Sequence, residues 1–520
     1  MFHLRKNKHA KLLAQKAGIS YKEAYEEMKA IHDMTGLSFA QYEKHDLHNL
    51  KMNLRIRAAN RLMHEKEARE RAVQAIAEDT GWTPEQVYAS RRDLNERLDG
   101  YRLSMSLYQK YELYKLDEAK QVEVVSAIRQ RRKTKDAFQK AFAGPFYESE
   151  DGVQKLKDQY EEIRALTKEL LTPTIVDKIC ESAALKYPEV LSDGAVRQEL
   201  ALDVEAARNS MGIKLSEYLP YDFLHKNFEE KVLYLPYREQ REVLEEVNDK
   251  RFTSILVNKY RSYRHFRKLY GRDIAQVNNE EDYKTFLDYC KKHPVFVKKP
   301  AAYFQGKGIE KIDSSEYGSK KKLFEQLLEE NGSFVMEELV HNHAALDAVN
   351  PDSLNTLRVL TALTGRGGAF IDEDGRAFRD GALRNCGDGV YALLPIFRTG
   401  REGSFIDNAS AGGVVCGVDL RTGKVNSKGF DKEGALFDCH PDTGVRFEDL
   451  SMPDWEDAIQ LVKQAALKLP QVPVIGWDIT YTDKEEWVLI EGNSSTGIMG
   501  QGPLGYGILP EYRALIDSVR

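Results

Sequence analysis

The sequence predicts two unlike halves: an all-α region over about residues 1 to 245, then an α+β domain over about residues 250 to 515. Two observations carry this. Through the first half glycine is sparse, and apolar residues recur at three- and four-residue steps, as in AKLLAQKAG, SYKEAYEEMKAIHDM and RAVQAIAED. That spacing aligns them along one helix face. From about 250 onward, glycine and β-branched residues rise. Short apolar runs such as VFVKK, FVMEELV, TLRVLTALT, GGVVCGVDL, VIGWDIT and WVLIEGN then alternate with helical stretches such as SKKKLFEQLLEEN and DWEDAIQLVKQAALKL.

Helix starts are visible in the first half. Ser20 with Glu23 has the spacing of a capping box, and Thr83-Pro84-Glu85 reads as a cap with proline just inside the helix. A loose repeat runs through this half. TGLSFAQYEKHDLHNL, YRLSMSLYQKYELYKL and MGIKLSEYLPYDFLHKNF share a Leu-Ser start followed by aromatics. The irregular spacing excludes a solenoid. Small docking units would look like this, and so would helix starts whose aromatics fill a core. The basic run AIRQRRKTKDAFQK (127 to 140) reads first as a solvated helix face, with phosphate contact as the alternative.

At 520 residues the chain exceeds one compact core, and roughly two to four domains are expected. A formal charge of −6 exerts no global pull on nucleic acid. The five cysteines form no CxxC pair, which argues against a disulfide framework or structural zinc and fits a reducing compartment. The basic N-terminus lacks an apolar stretch of the secretory type, and no window approaches about 18 consecutive apolar residues. A cytoplasmic protein without a membrane span is the expectation.

The residues that carry chemistry lie late in the chain. Strand alternation in VIGWDIT places Val474, Gly476, Asp478 and Thr480 on one face, and in WVLIEGN it places Leu489, Glu491 and Asn493 on one face. Pairing of these strands across the turn-like YTDKEE brings Asp478 and Glu491 together with Asn493 beyond. Two carboxylates and an amide oxygen are hard donors suited to Mg²⁺. Strand-end charges facing water are the alternative.

In VFVKKPAAYFQGKGI a strand delivers Lys298 and Lys299. Proline ends it, and Gly306 and Gly308 flank Lys307 in a loop able to approach phosphate closely. This is not a Walker A loop, because the GxxxxGK[ST] spacing is missing. FVMEELV ends in Glu337-Glu338, which can offer backbone groups to an adenine edge and a carboxylate to ribose, or form an ordinary amphipathic edge. Arg358 and Arg398 stand at apolar strands, where a guanidinium takes an anionic partner or a structural ion pair. Asn408 and Gly412-Gly413 form a polar turn of the kind that lines an anion site.

In this order the segments FVKKP with QGKGI, MEELV, NPDSLNTLRVLT, FRTGREGSFIDNASAGG with GVDLRTGKV, HPDTG, PDW, GWDIT and IEGN resemble the ATP-grasp superfamily. More closely, they resemble the sugar-transfer-associated ATP-grasp family found with bacterial surface-polysaccharide genes. The resemblance covers roughly residues 250 to 515 and implies an ATP-grasp fold there, behind an all-α N-terminal domain. It implies ATP and Mg²⁺ as cofactors, with Lys299 and the loop of Gly306, Lys307 and Gly308 on the phosphates. Glu337, Glu338, Leu339 and Val340 would form the adenine hinge. Arg358, Arg398 and Asn408 would face the transferred phosphoryl group, and Asp478, Glu491 and Asn493 would bind the metal. Three departures stand out: Tyr303 and Phe304 replace glycine in the phosphate loop, GRGGAFIDEDGRAFRDGALRNCGDGVY is inserted before LLPIF, and the helical half lies outside the resemblance.

The resemblance implies an ATP-dependent carboxylate–amine (or carboxylate–hydroxyl) ligase acting through an acyl-phosphate on a glycan or peptide. A phosphotransferase, and an interaction protein with a vestigial ATP-binding domain, are the alternatives. Phosphoryl transfer needs positioned charge rather than a protein nucleophile, which suits these residues. The partners implied are a small carboxylate and its acceptor, with a protein partner for the helical half.

Overall fold

The computed structural model describes residues 8–519 except 51, 99, 302–307, 366–380, 404–411, 433 and 499. Every element of the described chain from Lys8 to Tyr270 is helical, and strands begin at Ile274. Both anticipated caps form. Ser20 and Glu23 exchange capping-box hydrogen bonds before the helix Tyr21–Thr35, and Thr83 caps the helix Pro84–Glu96 with Pro84 in its first turn.

The chain divides into two compact units, one of residues 1–130 and 169–175, the other of residues 131–168 and 176–520. In the first, Ala24, Met28, Tyr42 and Leu47 belong to one core, and Val87, Leu94, Tyr108, Leu113 and Val125 to another.

The loose repeat is a recurring backbone unit. Ser38 caps the short helix Phe39–Lys44, Asp46 turns left-handed (φ 47°), and a 3₁₀ turn Leu47–Asn49 follows. Ser104, Met105–Lys110, Glu112 (φ 49°) and Leu113–Lys115 repeat the pattern, as do Lys214, Leu215–Tyr218, Asp222 (φ 53°) and Phe223–His225. The third copy corrects the sequence alignment: its cap position is Lys214, so its Leu-Ser pair falls two residues late. In each copy one tyrosine hydroxyl bonds to the preceding helix, Tyr42 to Glu27, Tyr108 to Ser90 and Tyr218 to Asp203. The repeat therefore marks a tied turn between helices, and most of its aromatics are core, with Phe39, Tyr101 and Tyr114 partly buried against it. The basic run is also only partly solvated, since Arg131 is buried and reaches Thr167 Oγ1 at 3.4 Å.

The second unit holds two antiparallel sheets. The strands are β1 (Ile274–Val277), β2 (Val295–Pro300), β3 (Glu310–Asp313), β4 (Phe334–Glu338), β5 (Thr356–Leu363), β6 (Leu383–Asn385), β7 (Val390–Thr399), β8 (Val414–Gly417), β9 (Gly429–Phe430), β10 (Leu436–Phe437), β11 (Val474–Tyr481) and β12 (Trp487–Asn493). The smaller sheet has the order β1-β4-β2-β3, and helices Tyr283–Lys292 and Lys320–Asn331 bury Phe286, Phe324 and Leu327 against it. The larger sheet runs β10-β9-β8-β7-β5-β11-β12, with β6 paired to β7. Helix Trp455–Lys468 and helix Lys259–Tyr270 supply Ile459, Val462 and Phe266 to its core. The described part of the insertion is thus a short strand added to β7.

Helical segments before residue 250 are fastened to the sheet domain within this unit. Gln240 Nε2 donates to Thr496 Oγ1 at 2.7 Å, and Gln501 Oε1 accepts from Leu235 N at 2.9 Å. Inside these segments, buried Asp203 accepts from Tyr160, Tyr218, Arg164 and Lys231, the last at 2.6 Å. A buried charge is tolerated only when it is paired. Replacing Asp203 by alanine strands the buried Lys231, so a loss of about 3–5 kcal/mol is expected in urea unfolding. A loss below ~1 kcal/mol would show that the cluster anchors nothing.

Candidate functional site

The site is built on β11 and β12. Trp477 is fully buried, its indole donating to Thr361 Oγ1 at 2.8 Å and its ring edge-on to Phe266 at 5.4 Å. Gly492 lies opposite it across the strand pair, where a Cβ would stand 2.7 Å from the indole. This packing fixes the register, and alternation then turns Asp478 to the other face of the sheet.

Asp478 pairs directly with Glu491, as the two strands predict. One expectation needs correcting. A bulge at Ile490 shifts the register, so Ile479 faces Leu489 while Asp478 faces Glu491. Leu489 therefore joins the core, and only Glu491 and Asn493 share the face of Asp478. Asn493 Nδ2 lies 3.1 Å from Glu491 Oε1 and 3.3 Å from Asp478 Oδ2. The three side chains thus meet at one point, with the Asn493 amide nitrogen donating to both carboxyls.

Two arginines converge on the same carboxylate. Arg358, opposite Asp478 on β5, binds it through both oxygens at 2.6 Å. Arg398 on β7 brings Nη1 within 3.0 Å of Asp478 Oδ2. Burial alone would raise the Asp478 pKa, but the two guanidinium charges, helped by a hydrogen bond from Glu491, hold it at about 2. Glu491 opens to solvent yet sits among protein groups. Reduced hydration and the neighbouring Asp478 charge push its carboxyl above the usual range. The two carboxyls titrate as a coupled pair in which Asp478 is the more acidic member.

On the smaller sheet, Lys299 at the end of β2 binds Glu337 Oε2 of β4 at 2.9 Å. Arg272 binds the same oxygen at 2.9 Å and donates to the Leu489 carbonyl of β12 at 2.7 Å. Glu337 is buried, which would raise its pKa, but Lys299 and Arg272 hold it at about 2. Its carboxylate is thus already engaged by these cations. Glu338 turns away and accepts from the Asp273 backbone at 2.9 Å. Leu339 and Val340 follow β4 and are partly buried. Lys298 is structural: buried on the opposite face, it binds the Gly308 carbonyl at 3.2 Å and Glu310 at 3.1 Å. Gly308 is left-handed (φ 72°) and closes on Pro300, where a Cβ would stand 2.8 Å away. Tyr303, Phe304, Gly306, Lys307 and Asn408 lie outside the described residues.

Two participants escaped the sequence reading. Lys259 starts the helix Lys259–Tyr270 and donates to the Pro300 carbonyl at 3.3 Å. Burial lowers its pKa, Glu491 and Glu337 oppose this, and Lys299 adds to it, which places the ammonium among the site charges. Arg272 follows the left-handed Gly271 that ends the same helix. The only sequence signal for it was a charged pair, Arg272-Asp273, ahead of the short apolar IAQV. Among the described residues, the cations Lys259, Lys299, Arg272, Arg358 and Arg398 face three carboxylates, Glu337, Asp478 and Glu491. This excess suits a polyanion.

The C-terminal half, sheet-rich behind a helical region, resembles the ATP-grasp enzymes, and part of it matches a known family by sequence. Residues 383–515 match the family model described as sugar-transfer associated ATP-grasp, which bears out the resemblance carried by the motifs. That span holds Arg398, Asp478, Glu491 and Asn493. Similar solved structures include D-alanyl-alanine synthetase A from Vibrio cholerae, at 11% identity over 52% of this chain and 68% of that one, TM-score 0.31. The ATP-grasp ligase PsnB with its minimal precursor is similar at 11% identity over 56% and 68%, TM-score 0.30. D-cycloserine synthetase DcsG is similar at 13% identity over 55% and 82%, TM-score 0.29. No curated protein matches the chain.

Folded Glu337 and Asp478 titrate at about 2, against roughly 4 for carboxylates of an unfolded chain. A folded pKa below the unfolded one adds stability that is complete above the unfolded value and is lost as pH falls through the folded one. Glu491, shifted upward, acts with the opposite sign and costs stability as pH rises. Acid unfolding should therefore steepen between about pH 5 and pH 2. Glu337→Gln and Asp478→Asn should each flatten that slope in pH-dependent urea titrations. An unchanged slope in both variants would refute the pairing.

Proposed function

We propose that the C-terminal domain is an ATP-dependent carboxylate–amine (or carboxylate–hydroxyl) ligase that works through an acyl-phosphate in the cytoplasm, with a glycan or peptide as acceptor. The observation that carries this reading is the convergence of Asp478, Glu491 and Asn493 on one face, across from a lysine-bearing strand. The carboxylate oxygens of Asp478 and Glu491, joined by the Asn493 oxygen once its amide turns over, would fit magnesium, a hard cation that takes one or two carboxylates and leaves room for phosphate oxygens. Magnesium bound there would neutralise charge on the phosphate oxygens.

In this reading Lys299 and Lys259 hold the phosphates of ATP, and residues Glu337 to Val340 flank the adenine. Glu337 orients the Lys299 ammonium, as their 2.9 Å ion pair indicates. Arg358 and Arg398 are held by Asp478 with guanidinium groups beside the metal donors, ready to stabilise charge on the transferred phosphoryl group. A substrate carboxylate oxygen attacks the γ-phosphorus and ADP leaves. The amine or hydroxyl then attacks the acyl carbon, phosphate departs, and the nucleophile loses its proton. The protein contributes position and charge, and no side chain forms a covalent bond. The helical half would serve a protein partner, with the functional boundary near residue 250.

The test is ATP turnover with a panel of carboxylic acids and hydroxylamine as trap. ADP and a hydroxamate are expected with the right acid. Asp478→Ala should lower turnover by at least about 100-fold, the scale of losing a transition-state charge partner, while the circular dichroism spectrum is retained. Lys259→Ala should weaken ATP binding by about 10-fold in calorimetry, as loss of one charge-assisted contact would. A phosphorylated product in place of a condensed one would make the enzyme a phosphotransferase. No nucleotide binding with or without Mg²⁺ would make the domain an interaction module.

A further inference from the structure

A second concavity, of about 330 Å³, is lined by the helix Lys259–Tyr270, the entry to β1 and the helix Tyr283–Lys292. None of Lys299, Glu337, Asp478 and Glu491 lines it. Its volume is at the small end of ligand sites, which run about 300–1,000 Å³. Three tyrosines line it, Tyr260, Tyr263 and Tyr289, the first two with ring centres 6.1 Å apart. Tyr289 is held in place by donating to the Asp273 carbonyl at 2.9 Å.

Arg264 and Arg267 also line it. Three residues apart on one helix, they present their side chains along the same face. Both are exposed, and neither has an ion pair or hydrogen bond among the described residues. The one carboxylate in the lining, Asp273, is already met by Lys292 and by His293 Nε2 at 3.1 Å. The lining therefore joins two uncompensated guanidinium groups to a set of aromatic rings carrying hydroxyls. Guanidinium forks match carboxylate and phosphate groups. Tyrosine offers an apolar face for the C–H surface of a sugar ring and a hydroxyl for its polar edge.

We infer that this pocket binds a saccharide unit bearing a carboxylate or phosphate, with Arg264 and Arg267 on the anion and the tyrosines against the ring. The inference goes beyond the ligase reading and stands without it, because the pocket and the nucleotide cleft can be assayed separately. Calorimetry on the full chain would use glucose 1-phosphate and glucuronate, with glucose and inorganic phosphate as comparators. At least one charged sugar should bind at least ~10-fold more tightly than either comparator. The double variant Arg264→Ala/Arg267→Ala, whose changes are at exposed positions, should lose at least ~10-fold of that affinity while ATP binding is unchanged. Absence of binding by both charged sugars at millimolar concentration would overturn the inference. So would unchanged binding in the double variant, or inorganic phosphate binding as tightly as the sugar phosphate.

Discussion

The two sheets of the second unit are tied to each other by one buried guanidinium. Arg272 binds Glu337 of the smaller sheet and the Leu489 carbonyl of the larger one, and it does so with little solvent access. A buried arginine is stable only when its donors are matched. Its five N–H groups point in fixed directions, so matching them sets the position of β4 relative to β12. Lys299 completes the arrangement by taking the same Glu337 oxygen. The two sheets therefore keep a defined separation at this point.

The face of β11 that carries Asp478 depends on a similar matching of charge. Asp478 would be costly to bury alone, and Arg358 and Arg398 make it tolerable. The same arginines become the local positive field of the site. The guanidinium groups that make Asp478 tolerable in the fold thus also lie beside Glu491 and Asn493.

Much of this was legible in the chain. The alternation of VIGWDIT and WVLIEGN, and the turn between them, suffice to pair Asp478 with Glu491, because strand period and hairpin connection are local properties. What alternation could not show was the bulge at Ile490. It arises from the demands of the core, where Trp477 occupies the space left by Gly492 and Leu489 must stay with the buried cluster. Likewise, the Leu-Ser repeat was visible as a pattern, but the left-handed residue that defines its register, Asp46, Glu112 or Asp222, carries no reliable sequence mark.

By itself, the sequence determined the division into a helical first half and a sheet-containing second half, the strands that carry the acidic pair, and the identity of the lysine-bearing strand. Those follow from periodicity and from residue chemistry along a few neighbouring positions. Only the tertiary structure decided that Lys259 and Arg272 join the site, that Glu337 faces the cleft while Glu338 faces Asp273, and that Lys298 is structural while its neighbour Lys299 is not. The physical reason is that electrostatic partnership acts through space. A charge is matched to whichever group the packing of distant segments brings within a few ångströms, and that distance is not encoded in any local run of residues.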